Sequence, residues 1–496
     1  MQTATKRYDD AGSLRGRVSR GLVWVTAATA VTRGAALVSA VLLAHWLTPT
    51  DFGNFAMAAA VHGALIAVTE TGLQSALVQR PGATHEFLDA VWTLELTKNL
   101  LLFALVWLLA PALAHLLRSP DLTVLLRIMN VGFICYALRN IGTVYLRKEL
   151  DFYRQFLLES LPVLISTAAS LVLAYYWRTA LALAVSFALG TLATLAASYV
   201  LHPYRPQFHI NLSRVGVLLR FGRWVFLNSV VVMVRSHGLA LVVGRLLGAE
   251  ALGIYNRGLY FSKQPFEEVT KLFWKIGFPT FALVHQQPER FRRFFSDSVT
   301  LMALLVLPAA AALLALSPAL VAELLGERWL PIIPVMQAGS AIAFLSVVLA
   351  PCFVAFQASG RPHLGSLISV LDLVLMLSIL VPLSRHYGAL GAPLALLLAL
   401  AAIAPFTVAR AVRLTGVPLA DLLRPLAVGT FNSGVVAGVA YATDSLTWQW
   451  GPLRLVPMIA TCAVVHLAML VWWDRLLGLG IVAMLMRLAG SLRQPA

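Results

Sequence analysis

Apolar runs of about 20 residues follow one another along the chain, separated by Pro, Gly or charged residues. A run of this length, wound as an α-helix, matches the hydrocarbon thickness of a membrane. Fourteen such runs can be counted, and the seventh and eighth cover residues 224–247 and 252–284. The sequence therefore predicts an all-α polytopic membrane protein with about 14 transmembrane helices.

The composition agrees with a membrane protein and excludes a soluble one. Hydrophobic residues make up 59% of the 496 positions and charged residues only 12%, which is too apolar for a soluble chain with one or two cores. A net charge of +16 in a soluble protein would suggest nucleic-acid binding. Here most charges lie in short gaps between apolar runs, so we expect membrane lipids and no nucleic acid as partners.

Basic residues are distributed unevenly between alternate loops. About 24 Lys and Arg residues fall on one side of the predicted spans and about five on the other. Loops rich in Lys and Arg stay in the cytoplasm, so this bias predicts that both termini lie there and that the number of spans is even.

The chain repeats itself at a shift of 200 positions. Trp24 falls on Trp224, and the turn Phe52-Gly-x-Phe55 falls on Leu252-Gly-x-Tyr255. Because six spans separate the two copies, both have the same orientation, and we expect two six-helix lobes related by a parallel repeat. The predicted organisation is a cytoplasmic basic tail (1–18), an N-terminal six-helix lobe (19–215), a C-terminal six-helix lobe (216–413), two additional transmembrane helices (414–476) and a cytoplasmic amphipathic tail (477–496).

The eighth predicted span carries an unusual number of polar residues. Arg257, Gln264, Glu268, Lys271 and Lys275 fall within about 40° of one line on a helix, while apolar residues cover the other directions. Charges at membrane depth are costly unless they face a bundle interior or a water-filled cavity. We call this face the ionic stripe and predict that it lines a polar cavity.

Other polar side chains fall deep inside predicted spans, and together with the ionic stripe they predict a central cationic cavity. The cations expected to bind substrate are Arg33, Arg235, Arg257, Lys271 and Lys275. The polar and acidic residues expected to line the cavity are Thr26, Thr29, Glu70, Asn228, Gln264, Glu268 and Asp372. Guanidinium and ammonium groups bind phosphate oxygens, so we expect a substrate that carries phosphate.

The remaining polar and sulfur-containing residues are interpreted as structural. Glu95 and Lys98 are spaced to neutralise each other on one helix. The three cysteines, Cys135, Cys352 and Cys462, lie in apolar runs and are expected to be buried small hydrophobes. The histidines lack ligand spacing, so no metal is expected. With no P-loop and no readable nucleophile and base, we expect no cofactor and no catalysis, and an ion gradient or the substrate gradient as the driving force.

Two stretches near the N-terminus, Leu-Thr-Pro-Thr-Asp-Phe-Gly-Asn-Phe-Ala-Met-Ala at 47–58 and Thr-Gly-Leu-Gln-Ser-Ala-Leu-Val-Gln-Arg at 71–80, resemble the polysaccharide-exporter branch of the MOP (multidrug, oligosaccharidyl-lipid and polysaccharide) superfamily. The stretches at 145–152 and 249–257 add to this resemblance. Within this branch, the sequence is similar to Wzx-type flippases, especially those that resemble the colanic-acid exporter. The site residues above come from polarity, not from a family motif.

This resemblance implies a transporter of the bacterial inner membrane. Such a protein flips an undecaprenyl-pyrophosphate-linked oligosaccharide to the periplasmic leaflet by alternating access, for O-antigen or exopolysaccharide biosynthesis. Polymerase and chain-length proteins of the same pathway are candidate partners. The alternatives are a flippase for the lipid II type of peptidoglycan precursor and a multidrug exporter, whose cationic substrates would call for an acidic cavity. A polymerase or ligase would be expected to carry a large outer loop, so we expect a transporter and not an enzyme.

Overall fold

The computed structural model describes the backbone of residues 11–69, 85–149, 151–208 and 233–477. Within these ranges every regular element is a helix, which confirms the predicted all-α class. The chain divides into two compact units, which we call the first unit, ending at Glu250, and the second unit, starting at Ala251. The lobe boundaries inferred from the repeat stay a prediction.

The first unit contains eight described α-helices together with a short 3-10 turn at Ile141–Thr143. The helices are α1 (Ala11–Trp46), α2 (Pro49–Val68), α3 (His85–Leu116), α4 (Leu122–Met129), α5 (Val131–Leu138), α6 (Val144–Lys148), α7 (Phe152–Trp177) and α8 (Ala180–Leu201).

Helix α2 begins at a capping box that the sequence Thr-Pro-Thr-Asp encodes. The Thr48 hydroxyl accepts a hydrogen bond from the Asp51 N–H at 3.2 Å, and the Thr48 N–H donates to Asp51 Oδ2 at 2.9 Å. Pro49 occupies the first turn, where its missing N–H costs nothing. The other carboxylate oxygen of Asp51 accepts from the Ala180 N–H at 3.0 Å, so the same residue also ties α2 to the start of α8.

Helix α9 (Leu239–Val284) is 46 residues long and joins the two units in sequence. Gly248 interrupts it with φ 86° and ψ 179°, a backbone conformation that a residue with a Cβ rarely adopts. The interruption lies in the gap between the seventh and eighth predicted spans. A π-helical segment at Val234–Gly238, which we call the π-turn, precedes α9.

The second unit continues with six further α-helices, and a π-helical segment (Val321–Leu325) and a 3-10 segment (Glu327–Ile332) connect the first two of them. The helices are α10 (Pro288–Leu320), α11 (Ile333–Ala358), α12 (Pro362–Tyr387), α13 (Gly391–Thr415), α14 (Leu419–Thr447) and α15 (Leu455–Leu477).

Nine helical stretches within the described ranges are long and apolar enough to cross a membrane. Three of them are 46, 54 and 58 residues long, and a span needs only about 20 residues, so each has the length of two spans. The chain is therefore a multi-pass membrane protein. The total of fourteen spans stays a prediction, because residues 209–232 lie outside the described ranges.

Each unit has its own apolar core. In the first unit Leu88, Trp92 and Leu96 of α3 pack against Ala137 and Ile141. In the second unit an aromatic cluster forms where α9 meets α10, with the ring centroids of Phe281 and Phe294 4.6 Å apart. All three cysteines are buried, as the apolar context predicted.

Candidate functional site

The ionic stripe lies on the second half of α9, whose other faces anchor the helix in the second unit. Phe266 packs against Met302 and Val306 of α10. Phe281 packs into the aromatic cluster near the C-terminal end of α9. Burying these rings leaves the opposite side of the helix to Lys271 and Lys275, which are both exposed. The period of the helix therefore separates an apolar packing face from a cationic one.

Lys271 and Glu268 form an ion pair within the stripe, with Lys271 Nζ 3.0 Å from Glu268 Oε1. The side chains are 56% and 35% exposed, so solvent or a ligand reaches both partners. Among the described residues, Lys275 has no ion-pair partner. The stripe therefore presents one neutralised and one available lysine a single turn apart.

Arg257 and Gln264 lie toward the start of the stripe and are more enclosed. The guanidinium of Arg257 stacks 5.6 Å from the ring centroid of Tyr260. The Nε2 amide of Gln264 is buried and finds no hydrogen-bond acceptor among the described residues. Buried amide donors are normally satisfied, so Gln264 is suited to donate to an acceptor on a ligand.

The first unit contributes fewer described site residues. Arg33 on α1 is half-buried, and Thr29, one turn earlier, is exposed. Thr29 also accepts a hydrogen bond through its carbonyl from the Thr32 hydroxyl at 3.3 Å. Thr26 lies in α1 and Arg235 in the π-turn, but their side chains lie outside the described part of the structure. Glu70 and Asn228 lie outside the described residues altogether.

Asp372 differs from the residues of the stripe because it is only 7% exposed. It lies on α12 in a row of buried residues that includes Ile368 and Met376, spaced at one helical turn. The structure thus places Asp372 on the packed face of its helix, within the second unit.

Pairing between Glu95 and Lys98 was predicted from their spacing, and the structure confirms it. Lys98 Nζ lies 2.5 Å from Glu95 Oε2, and both side chains are largely enclosed. No group of three or more His, Cys, Asp or Glu residues within the described ranges is arranged to hold a metal ion.

One polar arrangement escaped the sequence analysis. His237 of the π-turn comes near His62 of α2 inside the first unit, because the His237 ring lies against Gly63, the next residue. They are far apart in the sequence, and neither stands at a spacing that indicates a partner. Only the packing of the two segments brings them together.

Comparison with known proteins finds relatives that are named for polysaccharide biosynthesis and transport. The chain is 26% identical over 392 residues to the lipopolysaccharide biosynthesis protein WzxC of Escherichia coli (strain K12), covering 78% of this chain and 79% of the relative. It is 28% identical over 339 residues to the succinoglycan biosynthesis transport protein ExoT of Rhizobium meliloti (strain 1021), covering 68% of this chain and 67% of the relative.

Solved structures show the same fold. An inward closed structure of the lipid II flippase MurJ has a TM-score of 0.75 at 15% identity and covers 92% of this chain and 99% of its own. An inward-facing multidrug resistance transporter of the MATE family, in the MOP superfamily, has a TM-score of 0.58 at 16% identity and covers 80% and 99%. The chain therefore has the fold of polytopic MOP transporters.

The sequence family itself is shown by a family model. The model described as polysaccharide biosynthesis protein matches residues 42–334, which is more than half of the chain and includes α2, the π-turn and the ionic stripe. The chain belongs to the polysaccharide biosynthesis protein family.

Proposed function

We propose that this protein is a flippase that moves an undecaprenyl-pyrophosphate-linked oligosaccharide across the bacterial inner membrane for O-antigen or exopolysaccharide biosynthesis. The observation that carries this proposal is the exposed cationic stripe on a helix that is otherwise apolar enough to span a membrane. Relatives named for lipopolysaccharide biosynthesis and succinoglycan transport support the substrate class. The basic loops support a location with both termini in the cytoplasm.

The stripe suits a pyrophosphate because it combines an available cation with a neutralised one. Lys275 offers an ammonium group to the anion as it arrives. The Glu268 carboxylate occupies Lys271 at 3.0 Å when no anion is present. A pyrophosphate then competes with Glu268 for Lys271, and when the substrate leaves, the internal pair re-forms. Binding is thereby strong enough to select a phosphate but weak enough to release it.

We extend the proposal to further residues. Arg257 and Gln264 provide donors at the start of the stripe, and Arg33 and Arg235 of the first unit are proposed as further substrate-binding cations. Thr26, Thr29, Glu70, Asn228 and Asp372 are proposed as polar residues of the substrate path. The basis for these assignments is polarity at membrane depth.

The decisive experiment removes the lysines of the stripe. The double variant Lys271→Ala/Lys275→Ala is expected to lower surface polysaccharide at least tenfold at unchanged membrane abundance, while lipid-linked oligosaccharide accumulates in the cells. The matched control Arg290→Ala/Arg413→Ala removes two exposed cations near helix ends and should leave polymer output unchanged. Normal polymer output from the lysine variant would contradict the proposed role of the stripe.

The peptidoglycan precursor is tested as an alternative substrate, because MurJ shares the fold and its solved structure is described as a lipid II flippase. Expression of this chain in cells depleted of their peptidoglycan-precursor flippase should not restore growth if the oligosaccharide is the substrate. Restored growth with unchanged surface polysaccharide in a deletion strain would favour the peptidoglycan precursor. Polymerase and chain-length proteins of the pathway are proposed partners, and crosslinking in cells would detect them.

A further inference from the structure

We propose that His62 and His237, the histidine pair, form a proton-binding site inside the first unit, and that proton binding there is coupled to transport. The coupling to transport rests on the proposed function, whereas the proton binding does not. The site is separate from the ionic stripe, which lies in the second unit. It takes a proton from hydronium: one O–H bond breaks, a water molecule is released, and an N–H bond forms on an imidazole nitrogen.

The first observation is the environment of His62. The residue is 6% exposed, and its ring lies among aromatic rings at centroid distances of 4.3 Å (Phe133), 5.2 Å (Phe187) and 6.4 Å (Tyr136). Its Nε2 is buried and has no hydrogen-bond partner among the described residues. Leaving such a polar atom unsatisfied costs about 1–3 kcal/mol, whereas a phenylalanine would fill this aromatic space without that cost. Packing alone does not explain a histidine here.

The second observation is the close approach of His237. A Cβ on Gly63 would lie 2.6 Å from His237 Nε2, so a glycine at this position, next to His62, leaves room for the His237 ring. His237 belongs to the π-turn, and single π-helical turns inside α-helices occur frequently at functional sites. Within the π-turn, the His237 ring is the described side chain that lies against Gly63 of α2.

Both histidines lie deep in their helices. His62 is about 20 Å along α2 from its start at Pro49, and His237 is about 16 Å before the break at Gly248, at 1.5 Å per residue. Both positions therefore lie inside helical segments, away from the helix start and the helix break. Histidine is the side chain whose charge changes between about pH 5 and 8, and a buried titratable group is a candidate functional site.

Among the described residues, the groups named around the pair include no counter-ion for an added proton. From α5, Tyr136 faces His62, and Arg139 lies within electrostatic range of that tyrosine. From α8, the described contact is Phe187. From the π-turn, the described titratable group is His237, and Arg235 has a side chain outside the described part. A proton on the pair is therefore unfavourable in this packing. Moving α2 away from the π-turn would let water solvate the charged imidazole. Proton binding and this separation are thereby linked.

Proton binding is tested first without transport. The purified full-length chain, labelled at the histidine rings with ¹³C and held in lipid nanodiscs, is titrated by NMR from pH 8 to pH 3. The His62 signal, assigned by its loss in His62→Phe, is expected to titrate. In His237→Gln it should take up its proton at a pH about 0.5 higher, a threefold change in proton affinity, because the competing charge is gone. A His62 signal that stays neutral, or that ignores His237→Gln, would overturn the site.

The coupling of proton binding to transport is tested by measuring the amount of surface polysaccharide. His62→Phe preserves the aromatic packing, and we expect at least tenfold less polymer at equal membrane abundance. The control His466→Gln changes a half-buried histidine of α15 and should leave polymer output unchanged. Wild-type output from His62→Phe would overturn the coupling. The proposed transport function is judged separately by the Lys271→Ala/Lys275→Ala variant, so the two proposals fail independently.

Discussion

Helix α2 and the second half of α9 occupy equivalent places in the predicted repeat, and both pack against a glycine but with different chemistry. In the first unit, a Cβ on Gly132 of α5 would lie 3.2 Å from the ring of His62. In the second unit, a Cβ on Gly339 of α11 would lie 2.7 Å from Cβ of Ser262, the residue 200 positions after His62. Each helix thus packs closely against a glycine on its neighbour.

The side chains of the two helices differ around this contact. Met57 in α2 is fully buried, whereas Arg257 stands at the equivalent position in α9. Ala64 in α2 corresponds to Gln264 in α9. The comparison teaches that two helices at equivalent positions of the predicted repeat can each pack against a glycine while one is a buried, histidine-bearing element and the other carries exposed lysines.

The largest effect is expected when the chemistry of α9 is placed on α2. Met57→Arg would bury a guanidinium at a position that is 0% exposed, at a cost of about 4 kcal/mol or more. We expect little or no folded protein in the membrane fraction. The reverse change, Arg257→Met, should keep wild-type abundance and lower only polymer output. Equal abundance of both variants would show that the two helices do not differ in burial.

A smaller effect is expected from filling the glycine contact in the second unit. Gly339→Ala places a methyl group against the Ser262 side chain, and overpacking of this kind costs about 1–3 kcal/mol. The midpoint of thermal unfolding in detergent should fall. Ser262→Gly removes the opposing side chain and should restore the midpoint in the double variant. Gly132→Ala, whose new Cβ meets His62 at 3.2 Å, should be tolerated better. A larger loss for Gly132→Ala would reverse the comparison.

The next effect concerns the space that His62 fills. His62→Ser installs the residue of the second unit and leaves a void among Phe133 and Phe187, with an expected loss of about 2 kcal/mol. His62→Phe should lose less stability, and thermal unfolding measures both. A Ser variant as stable as the Phe variant would mean that the aromatic rings close over the space.

The smallest effect on stability is expected in the ionic stripe. The exchange Glu268→Lys/Lys271→Glu keeps the pair but reverses it, and exposed pairs contribute only about 0–1 kcal/mol. The thermal midpoint should therefore stay near that of the wild type, while polymer output falls because the cation moves one turn. A clear loss of stability would mean that the pair is structural.

Much of the fold could be predicted from the sequence, because membrane spans are encoded by the length of apolar runs. The break at Gly248 follows from the gap between two such runs, and the pairing of Glu95 with Lys98 follows from their helical spacing. The capping box at Thr48 and Asp51 is also readable, since its spacing is local.

The details of the candidate site were less predictable, because they depend on contacts between helices. The approach of His237 to Gly63 requires a π-turn, which shifts the register of one helix by a residue and has no clear sequence signal. The burial of Asp372 depends on which face of α12 packs inward, and α12 is apolar on all faces. Periodicity identifies a stripe only where polar residues cluster, as they do on α9.

The burial of Cys135, Cys352 and Cys462 has a practical consequence for experiments on this protein. Thiol reagents that act from water meet no exposed native cysteine within the described ranges. A single cysteine introduced at Glu289 or Trp448, which are both exposed near helix ends, would therefore be labelled above a low background in the native chain. Membrane-impermeant maleimides applied to intact cells would then report which ends of these helices face outward.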